Sequence, residues 1–327
     1  MKIISKLNIF WVFLLNLLLL FWIFYFLEIK YEREDIWSNN IREKNLKYTF
    51  ITPLLECWYE LKYYNPNRII NHIDDYINIS LANNNIKRVG YYFRFLNNGA
   101  TFGYNENESF IPASLLKIPI AMGIFKKLED DKDFLNTSIL LNDYEYKPNE
   151  RYFWQDDIIL WNSYTIYQLL VSMLQNSDNL ATITLFDYLP IEYFYSIYSD
   201  LWLDKVDFNI PETIRVSPKK YSSFLRILYN SSYLNREHSE EILSILSKST
   251  FTNWIRSAIP NDILVVNKFW EKEYEESNLK YLHDCGIVYY TNNPFLLCIM
   301  TEGENYDKQV QVITGITRII YDFVKNN

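Results

Sequence analysis

The stretch Phe110-Ile-Pro-Ala-Ser-Leu-Leu-Lys-Ile-Pro119 sets Ser114 and Lys117 three residues apart where a helix is predicted to begin. Residues i and i+3 share a helix face, so the Lys117 amine can approach the Ser114 hydroxyl without help from the rest of the fold. A serine hydroxyl becomes a good nucleophile when a neighbouring base takes its proton. A lysine acts as that base once burial or a second cation lowers its pKa towards neutrality. The stretch therefore predicts a serine nucleophile with its own base.

The Ser-x-x-Lys pattern is short, and it also occurs at Ser217–Lys220 and Ser277–Lys280. At Ser217 the following proline and the apolar period predict a helix N-cap. Ser277 follows an acidic run. A helix cap is accordingly the alternative interpretation of Ser114.

The downstream triplet Ser177-Asp-Asn179 lies between two apolar runs, Ile166–Leu174 and Leu180–Phe186, which predict two helices. A Ser-x-x-Lys that opens a helix, then Ser-Asp-Asn, then a lysine on a strand resembles the penicillin-recognising serine enzymes, including class A β-lactamases. The resemblance covers roughly residues 60–327. It implies an α+β fold of the β-lactamase and transpeptidase type, in which helices flank a five-stranded antiparallel sheet and form an all-helical subdomain.

By the same resemblance, Arg88–Phe95 and Thr101–Tyr104 form an opening hairpin, and the last three strands are Ile263–Lys268, His283–Tyr289 and Pro294–Thr301. Apolar residues at helical spacing predict helices at Asn67–Asn83, Tyr164–Asn176, Ser217–Tyr229 and Lys308–Lys325. The acidic stretch Glu271–Glu276 is predicted to be a solvated hairpin loop.

The resemblance also implies a role for each catalytic group. Ser114 attacks a carbonyl carbon, and Lys117 takes its proton. Ser177 passes a proton to the leaving nitrogen, while Asn179 holds Lys117 and the substrate amide.

The third motif departs from the family pattern, because Lys268-Phe-Trp270 stands where the family has Lys-Thr/Ser-Gly. Lys268 is expected to supply the second cation and to attract a substrate carboxylate. The backbone amides of Ser114 and Glu271 are expected to form the oxyanion hole. Phe269 lacks the hydroxyl that binds a carboxylate in the family. Alternate residues share a face of a strand, so Trp270 is expected to face the groove and crowd it.

Class A β-lactamases activate the deacylating water with a Glu-x-x-Leu-Asn loop, and the sequence contains no such loop. Glu212 is the only glutamate in Asp204–Arg215, which makes it the candidate deacylation base. A solvated loop position is the simpler interpretation of this residue. We therefore expect slow hydrolysis of the acyl-enzyme.

The N-terminal segment Ile9–Leu27 is apolar apart from Asn16 and follows Lys2 and Lys6. It is long enough for a membrane span, which needs about 20 residues, and it lacks the small-residue cleavage site of a signal peptide. With the lysines inside, we expect a single-pass protein of the cell membrane with a cytoplasmic N-terminus and its catalytic domain on the outer face. The predicted organisation is a cytoplasmic start and anchor, a partly helical juxtamembrane stalk and the hydrolase domain, at 1–28, 29–60 and 61–327.

Composition excludes several other classes of function. The net charge of −8 argues against nucleic-acid binding. No Cys-x-x-Cys, His-Glu-x-x-His or phosphate-binding glycine loop is present, so the sequence predicts neither a metal nor a cofactor. His283 is interpreted as a hydrogen-bonding residue at a strand end.

Two of the three cysteines, Cys285 and Cys298, fall on neighbouring predicted strands. Folding one strand back on the other places them diagonally, about 7–8 Å apart, which is too far for easy bridging. We therefore expect buried free thiols.

The sequence leaves three hypotheses for function. The first is a membrane-anchored serine acyl-transfer enzyme that forms an acyl-enzyme on Ser114 with β-lactams or with D-alanyl peptides of peptidoglycan. The second is a catalytically weak relative that binds peptidoglycan or a partner protein. The third is an esterase acting on another acyl substrate.

Overall fold

The domain is built around an antiparallel sheet whose strands come from two distant parts of the chain. The strands in chain order are β1 (Ile36–Arg42), β2 (Leu54–Leu61), β3 (Ile86–Phe95), β4 (Thr101–Tyr104), β5 (Ser138–Leu140), β6 (Ser163–Thr165), β7 (Val265–Tyr274), β8 (Leu279–Val288) and β9 (Phe295–Gly303). Five of them form the main sheet in the order β4-β3-β9-β8-β7, and the pairs β1-β2 and β5-β6 form two small sheets. The α+β class and the five-stranded antiparallel sheet expected from the sequence are confirmed.

The computed structural model describes residues 18–19, 36–43, 47–61, 66–82, 86–141, 157–201, 214–274 and 278–326. The chain divides into two units, Met1–Ser38 with Tyr59–Asn65 and Asn39–Trp58 with Pro66–Asn327. The candidate site lies in the second unit. Among the described residues, no helix combines the length and apolarity that a membrane crossing requires. The predicted span Ile9–Leu27 lies outside the described residues apart from Leu18 and Leu19, and Glu212 also lies outside them.

Helices surround the sheet at the positions that the apolar periodicity predicts, with ends that differ by two residues or fewer where a helix was predicted. They are α1 (Asn67–Ala82), α2 (Lys117–Asp130), α3 (Ile166–Gln175), α4 (Asn179–Tyr188), α5 (Ile191–Asp200), α6 (Pro218–Asn230), α7 (Arg236–Ser247) and α8 (Tyr306–Lys325). Local capping sets several starts: Thr165 and Gln168 form a capping box on α3, and Ser217 caps α6 ahead of Pro218.

The two faces of the sheet have different partners. The face that carries Trp270, Cys285 and Cys298 shares one buried cluster with side chains of helices α2 to α7. On the opposite face, α8 supplies Phe323, which packs against Phe95 and Phe102. The site described below lies on the first face, where the turn ahead of α2 packs along β7.

The acidic stretch does not begin as a loop. β7 continues to Tyr274, so the first four residues of Glu271–Glu276 are paired with β8. The pairing is favourable because Glu273 lies opposite Lys280, and their charged groups are 2.6 Å apart. The strand is therefore longer than its predicted end at Lys268.

Residues 47–53 fall within the predicted juxtamembrane stalk, and three of them are hydrogen-bonded to α7. The Glu240 carboxylate accepts the backbone N–H groups of Thr49, Phe50 and Ile51, at 2.5, 2.9 and 3.0 Å. Ile51 is buried. This part of the chain packs on the domain because a carboxylate on α7 satisfies three successive backbone donors.

The expectation of free thiols at Cys285 and Cys298 is wrong, because the structure contains a disulfide between them. The loop between β8 and β9 pairs Val288 with Phe295, which places the two cysteines directly opposite each other rather than diagonally. Their Cα atoms are 3.9 Å apart. A two-residue difference in strand register accounts for the error, because a turn over Thr291–Pro294 would pair Cys285 with Met300, whereas the structure pairs it with Cys298.

Candidate active site

Ser114 lies in a 3-10 turn, Ala113–Leu116, immediately ahead of α2. Because this turn carries the candidate nucleophile, it is called the nucleophile turn. The turn follows Phe110, whose N–H and carbonyl both pair with Val216 at 2.9 Å. Ser114 keeps 9% of its surface exposed, whereas Lys117, the first residue of α2, keeps 2%. The predicted geometry of a serine and a lysine one helical turn apart is thus present in the backbone.

The Lys117 side chain reaches the Ser-Asp-Asn triplet on the far side of the site. Its Nζ lies 3.0 Å from the Ser177 Oγ and 3.0 Å from the Asn179 Oδ1, and it also donates to the carbonyl of Ser177. The three side chains come from the start of α2 and from the connection between α3 and α4. The structure therefore brings together three of the side chains that the sequence analysis selected.

The backbone of the triplet explains why its outer members point at Lys117. Ser177 has a left-handed conformation, with φ of 55°. Asp178 points the other way: its carboxylate caps α4 by accepting the Ala181 N–H at 2.7 Å. The same carboxylate accepts the N–H groups of residues 157 and 158 at 2.8 and 2.9 Å. Asp178 is thus a structural residue that holds the triplet in place.

β7 carries the remaining predicted groups beside the turn. Lys268 is fully buried, and its Nζ lies 3.4 Å from the Phe269 carbonyl oxygen and 4.3 Å from the centroid of the Phe269 ring. Glu271 keeps 9% of its surface exposed. β7 is the last strand in the sheet order, so one edge of its backbone lies outside the strand pairing of the sheet.

Trp270 is 4% exposed and faces the same side of the sheet as the nucleophile turn. Its ring lies 5.0 Å from that of His283 and 6.0 Å from that of Tyr281. His283 in turn contacts the carbonyl of Ile111, ahead of Ser114. An indole therefore fills space on β7 that a glycine would leave open.

Two adjacent buried groups on β8 have pKa values shifted in opposite directions. Burial lowers the pKa of His283 to about 4, and burial raises the pKa of Asp284 to about 7. Asp284 faces the other side of the sheet, where it accepts hydrogen bonds from the Ile255 N–H and the Asn267 Nδ2. Both shifts have the same cause, because the apolar interior disfavours the charged form of each group. His283 therefore loses its proton more easily, and Asp284 holds its proton more tightly.

Sequence reasoning missed two residues that hold the nucleophile turn. His283 lies within β8 and not at a strand end, and its ring bonds the Ile111 carbonyl, just ahead of the turn. Arg88 donates to the Ser109 carbonyl at 2.9 Å, and its guanidinium lies 4.7 Å from the Phe110 ring centroid. Neither residue has a local pattern that indicates this role, because both act across long sequence separations.

Comparison with known proteins agrees with this arrangement. A profile described as "Beta-lactamase enzyme family" matches residues 71–324. Among solved structures, a β-lactamase from Chitinophaga pinensis is 21% identical with a TM-score of 0.67, covering 77% of this chain and 99% of its own. The structure of PBP-A is 15% identical with a TM-score of 0.66, covering 80% and 97%. A class A β-lactamase from Mycobacterium abscessus is 18% identical with a TM-score of 0.62, covering 77% and 99%. No curated protein sequence gives a significant match.

The fold and the family match define a serine hydrolase related to the class A β-lactamases and penicillin-binding proteins. This chain belongs to the beta-lactamase enzyme family.

Proposed function

We propose that this protein is a membrane-anchored serine acyl-transfer enzyme that forms an acyl-enzyme on Ser114. Its proposed substrates are β-lactams or D-alanyl peptides of peptidoglycan. The observation that carries the proposal is the position of the Lys117 amine, 3.0 Å from both the Ser177 Oγ and the Asn179 Oδ1 and one helical turn after Ser114. A basic amine in that position can accept the Ser114 proton and exchange protons with Ser177.

The proposed acylation moves each proton along that path. The Ser114 oxygen attacks the carbonyl carbon of the substrate amide, and its proton passes to the neutral amine of Lys117. The developing negative oxygen is bound by the backbone N–H groups of Ser114 and Glu271, each donor being worth about 2.7–4 kcal/mol in comparable sites. The carbon–nitrogen bond then breaks, and the leaving nitrogen takes the Ser177 proton. Lys117 returns a proton to Ser177, which leaves an ester on Ser114.

Hydrolysis of that ester is proposed to be slow. The sequence has no Glu-x-x-Leu-Asn loop to activate water, and Glu212 is the only glutamate of the corresponding loop. The similarity to PBP-A supports slow hydrolysis, because a PBP-A variant with a fold similar to that of this chain has been solved as an acyl-enzyme with penicillin G. Lys268 is proposed to attract a substrate carboxylate.

Trp270 favours a second candidate function, an esterase that takes an acyl substrate without a carboxylate at that position. The indole is buried next to His283, at a position where the family leaves room for substrate. A third outcome is a weak relative that binds peptidoglycan or a partner protein without turnover.

One experiment separates these possibilities. The protein is incubated with a fluorescent penicillin and, separately, with an activated ester, and the adduct is followed by intact-mass spectrometry over minutes. Accumulation of a penicillin adduct supports the first function, whereas an adduct from the ester alone supports the esterase. Rapid multiple turnover that collapses in Glu212→Gln contradicts slow deacylation and makes Glu212 the deacylation base. The absence of any adduct favours the binding protein.

The membrane anchor belongs to the same proposal. Ile9–Leu27 is proposed to cross the cell membrane, with Lys2 and Lys6 in the cytoplasm and the catalytic domain outside. The mature protein should then retain Met1 and fractionate with the membrane. Recovery of a soluble form that begins near residue 28 contradicts the anchor.

A further inference from the structure

A single buried ring connects the nucleophile turn to the middle of the sheet. His283 is fully buried within β8. Its Nε2 lies 3.0 Å from the carbonyl oxygen of Ile111, three residues before Ser114. On the other side of the ring, the Thr301 N–H on β9 donates to Nδ1 at 3.3 Å. The ring therefore bridges two elements that are far apart in sequence.

These contacts determine which ring nitrogen carries the proton. Nδ1 accepts a backbone N–H and is therefore unprotonated, so in the neutral ring Nε2 holds the proton and donates it to Ile111. Burial lowers the pKa of His283 to about 4, and the Arg88 charge acts in the same direction. Near neutral pH the ring thus offers one hydrogen bond of fixed direction.

Aromatic neighbours hold the ring and the turn in place. The Phe110 ring meets His283 edge to face with centroids 5.6 Å apart, and Trp270 packs 5.0 Å away. Arg88 covers the Phe110 ring at 4.7 Å. A side chain packed in this way has little rotational freedom, so its hydrogen bond restrains the backbone that it contacts.

We propose that His283 is a positioning residue for acylation, which holds the backbone ahead of Ser114 by donating to the Ile111 carbonyl. This inference rests on the proposed role of Ser114 as the nucleophile. A displacement of about 1 Å at a reacting group can cost about 10²-fold in rate. His283 moves no proton to the substrate; it acts through the position of the Ser114 oxygen.

The test compares variants that keep or lose the donor. Gln at position 283 can place an amide N–H near the position of Nε2, whereas the shorter Asn cannot reach Ile111, and Leu removes the donor altogether. The full-length His283→Gln, His283→Asn and His283→Leu proteins are reacted with benzylpenicillin, and apparent affinity is separated from the acylation rate constant. Amide hydrogen exchange of residues 110–116 is measured on the same proteins. Thr317→Val is the control, because Thr317 is a buried polar residue whose hydroxyl donates to the Ile313 carbonyl within α8 and contacts neither His283 nor the turn in the structure.

We expect His283→Asn and His283→Leu to lower the acylation rate constant at least tenfold, with apparent affinity within about twofold of the wild type, and to speed exchange in residues 110–116. His283→Gln should keep most of the wild-type acylation rate constant and most of the wild-type protection from exchange, and the control should change neither quantity. Unchanged exchange in this segment for His283→Asn overturns the proposal. An equal loss of the acylation rate constant in His283→Gln and His283→Asn also overturns it. If the wild type forms no adduct, the function of Ser114 fails, while the exchange data still decide whether His283 holds the turn. If His283→Leu does not fold, the Gln and Asn pair carries the test.

Discussion

Lys117 and Ser177 lie 60 residues apart in the chain, yet the Lys117 Nζ is 3.0 Å from the Ser177 Oγ. This contact connects the start of α2 to the connection between α3 and α4, and it is the one through which the proposed mechanism moves protons. Because both residues are almost completely buried, bulk water has little access to the hydrogen bond. The proposed function depends on this pair.

Replacing Lys117 by methionine should abolish most of the acylation. The variant keeps an unbranched apolar stem of nearly the same length but removes the base, and a positioned base is typically worth about 10²–10⁴-fold. The acylation rate constant with benzylpenicillin measures the effect, and circular dichroism checks that the fold is kept. Lys126→Met is the matched control on the same helix, since Lys126 pairs with Glu129 away from the site. A Lys117→Met protein that acylates at the wild-type rate rules out Lys117 as the base.

Replacing Trp270 by glycine should speed labelling by a penicillin, because it opens space on β7 beside the turn. The same change should lower stability by about 3–5 kcal/mol through loss of a buried indole. Trp254→Gly is the matched control: Trp254 is equally buried but packs against Phe269 on the other face of the sheet. We expect it to lose stability without faster labelling. An unchanged labelling rate in Trp270→Gly shows that the indole does not restrict the groove.

Much of the fold follows from local patterns, whereas the exact pairings do not. Apolar spacing is sufficient to place α6 and α8 because each buries one continuous stripe. The pairing of Cys285 with Cys298 depends on the register that the intervening loop sets, and a register shift of two residues separates the observed pair from the expected diagonal arrangement. The packing of residues 49–51 depends on Glu240, about 190 residues away, so no local signal indicates it. The contact between His283 and Ile111 could not be predicted from the sequence, because it depends on how β8 packs against the nucleophile turn.

His283 and Asp284 should oppose each other in the pH dependence of stability. The His283 pKa falls from 6.5 to about 4 on folding, so the unfolded state binds more protons in that range and stability is lost as pH falls through it. The Asp284 pKa rises from 3.8 to about 7, so the native state binds more protons and stability is lost as pH rises through that range. Between about pH 4 and 6.5 the two effects largely cancel.

The free energy of unfolding of Asp284→Asn, taken relative to that of the wild type, should therefore increase with pH between about 4 and 7. The increase is at most about 1.4 kcal/mol per pH unit. His283→Gln has the opposite effect between about pH 4 and 6.5. Urea denaturation at several pH values measures both differences. Curves for the two variants that run parallel to the wild type contradict the assigned shifts.

The Cys285–Cys298 disulfide should stabilise the domain by closing a short loop. Its cysteines are 13 residues apart. In the chain-entropy description, closing a loop of this length raises the free energy of unfolding by about 3 kcal/mol. The double variant Cys285→Ala, Cys298→Ala should lose that amount in urea denaturation. Dithiothreitol should destabilise the wild type and leave the double variant unaffected. Alkylation under denaturing conditions should find one free thiol per wild-type chain, that of Cys57, and three free thiols contradict the bond.

The central claim is that Ser114 is the acylated residue. The most direct measurement is peptide mapping of the full-length protein after reaction with benzylpenicillin, with Ser114→Ala and Ser217→Ala treated in parallel. Ser217 begins the other Ser-x-x-Lys pattern in the described part of the chain but caps α6. We predict one adduct, located on the peptide that contains Ser114, absent in Ser114→Ala and retained in Ser217→Ala. An adduct that persists in Ser114→Ala, or that maps to another residue, contradicts the account.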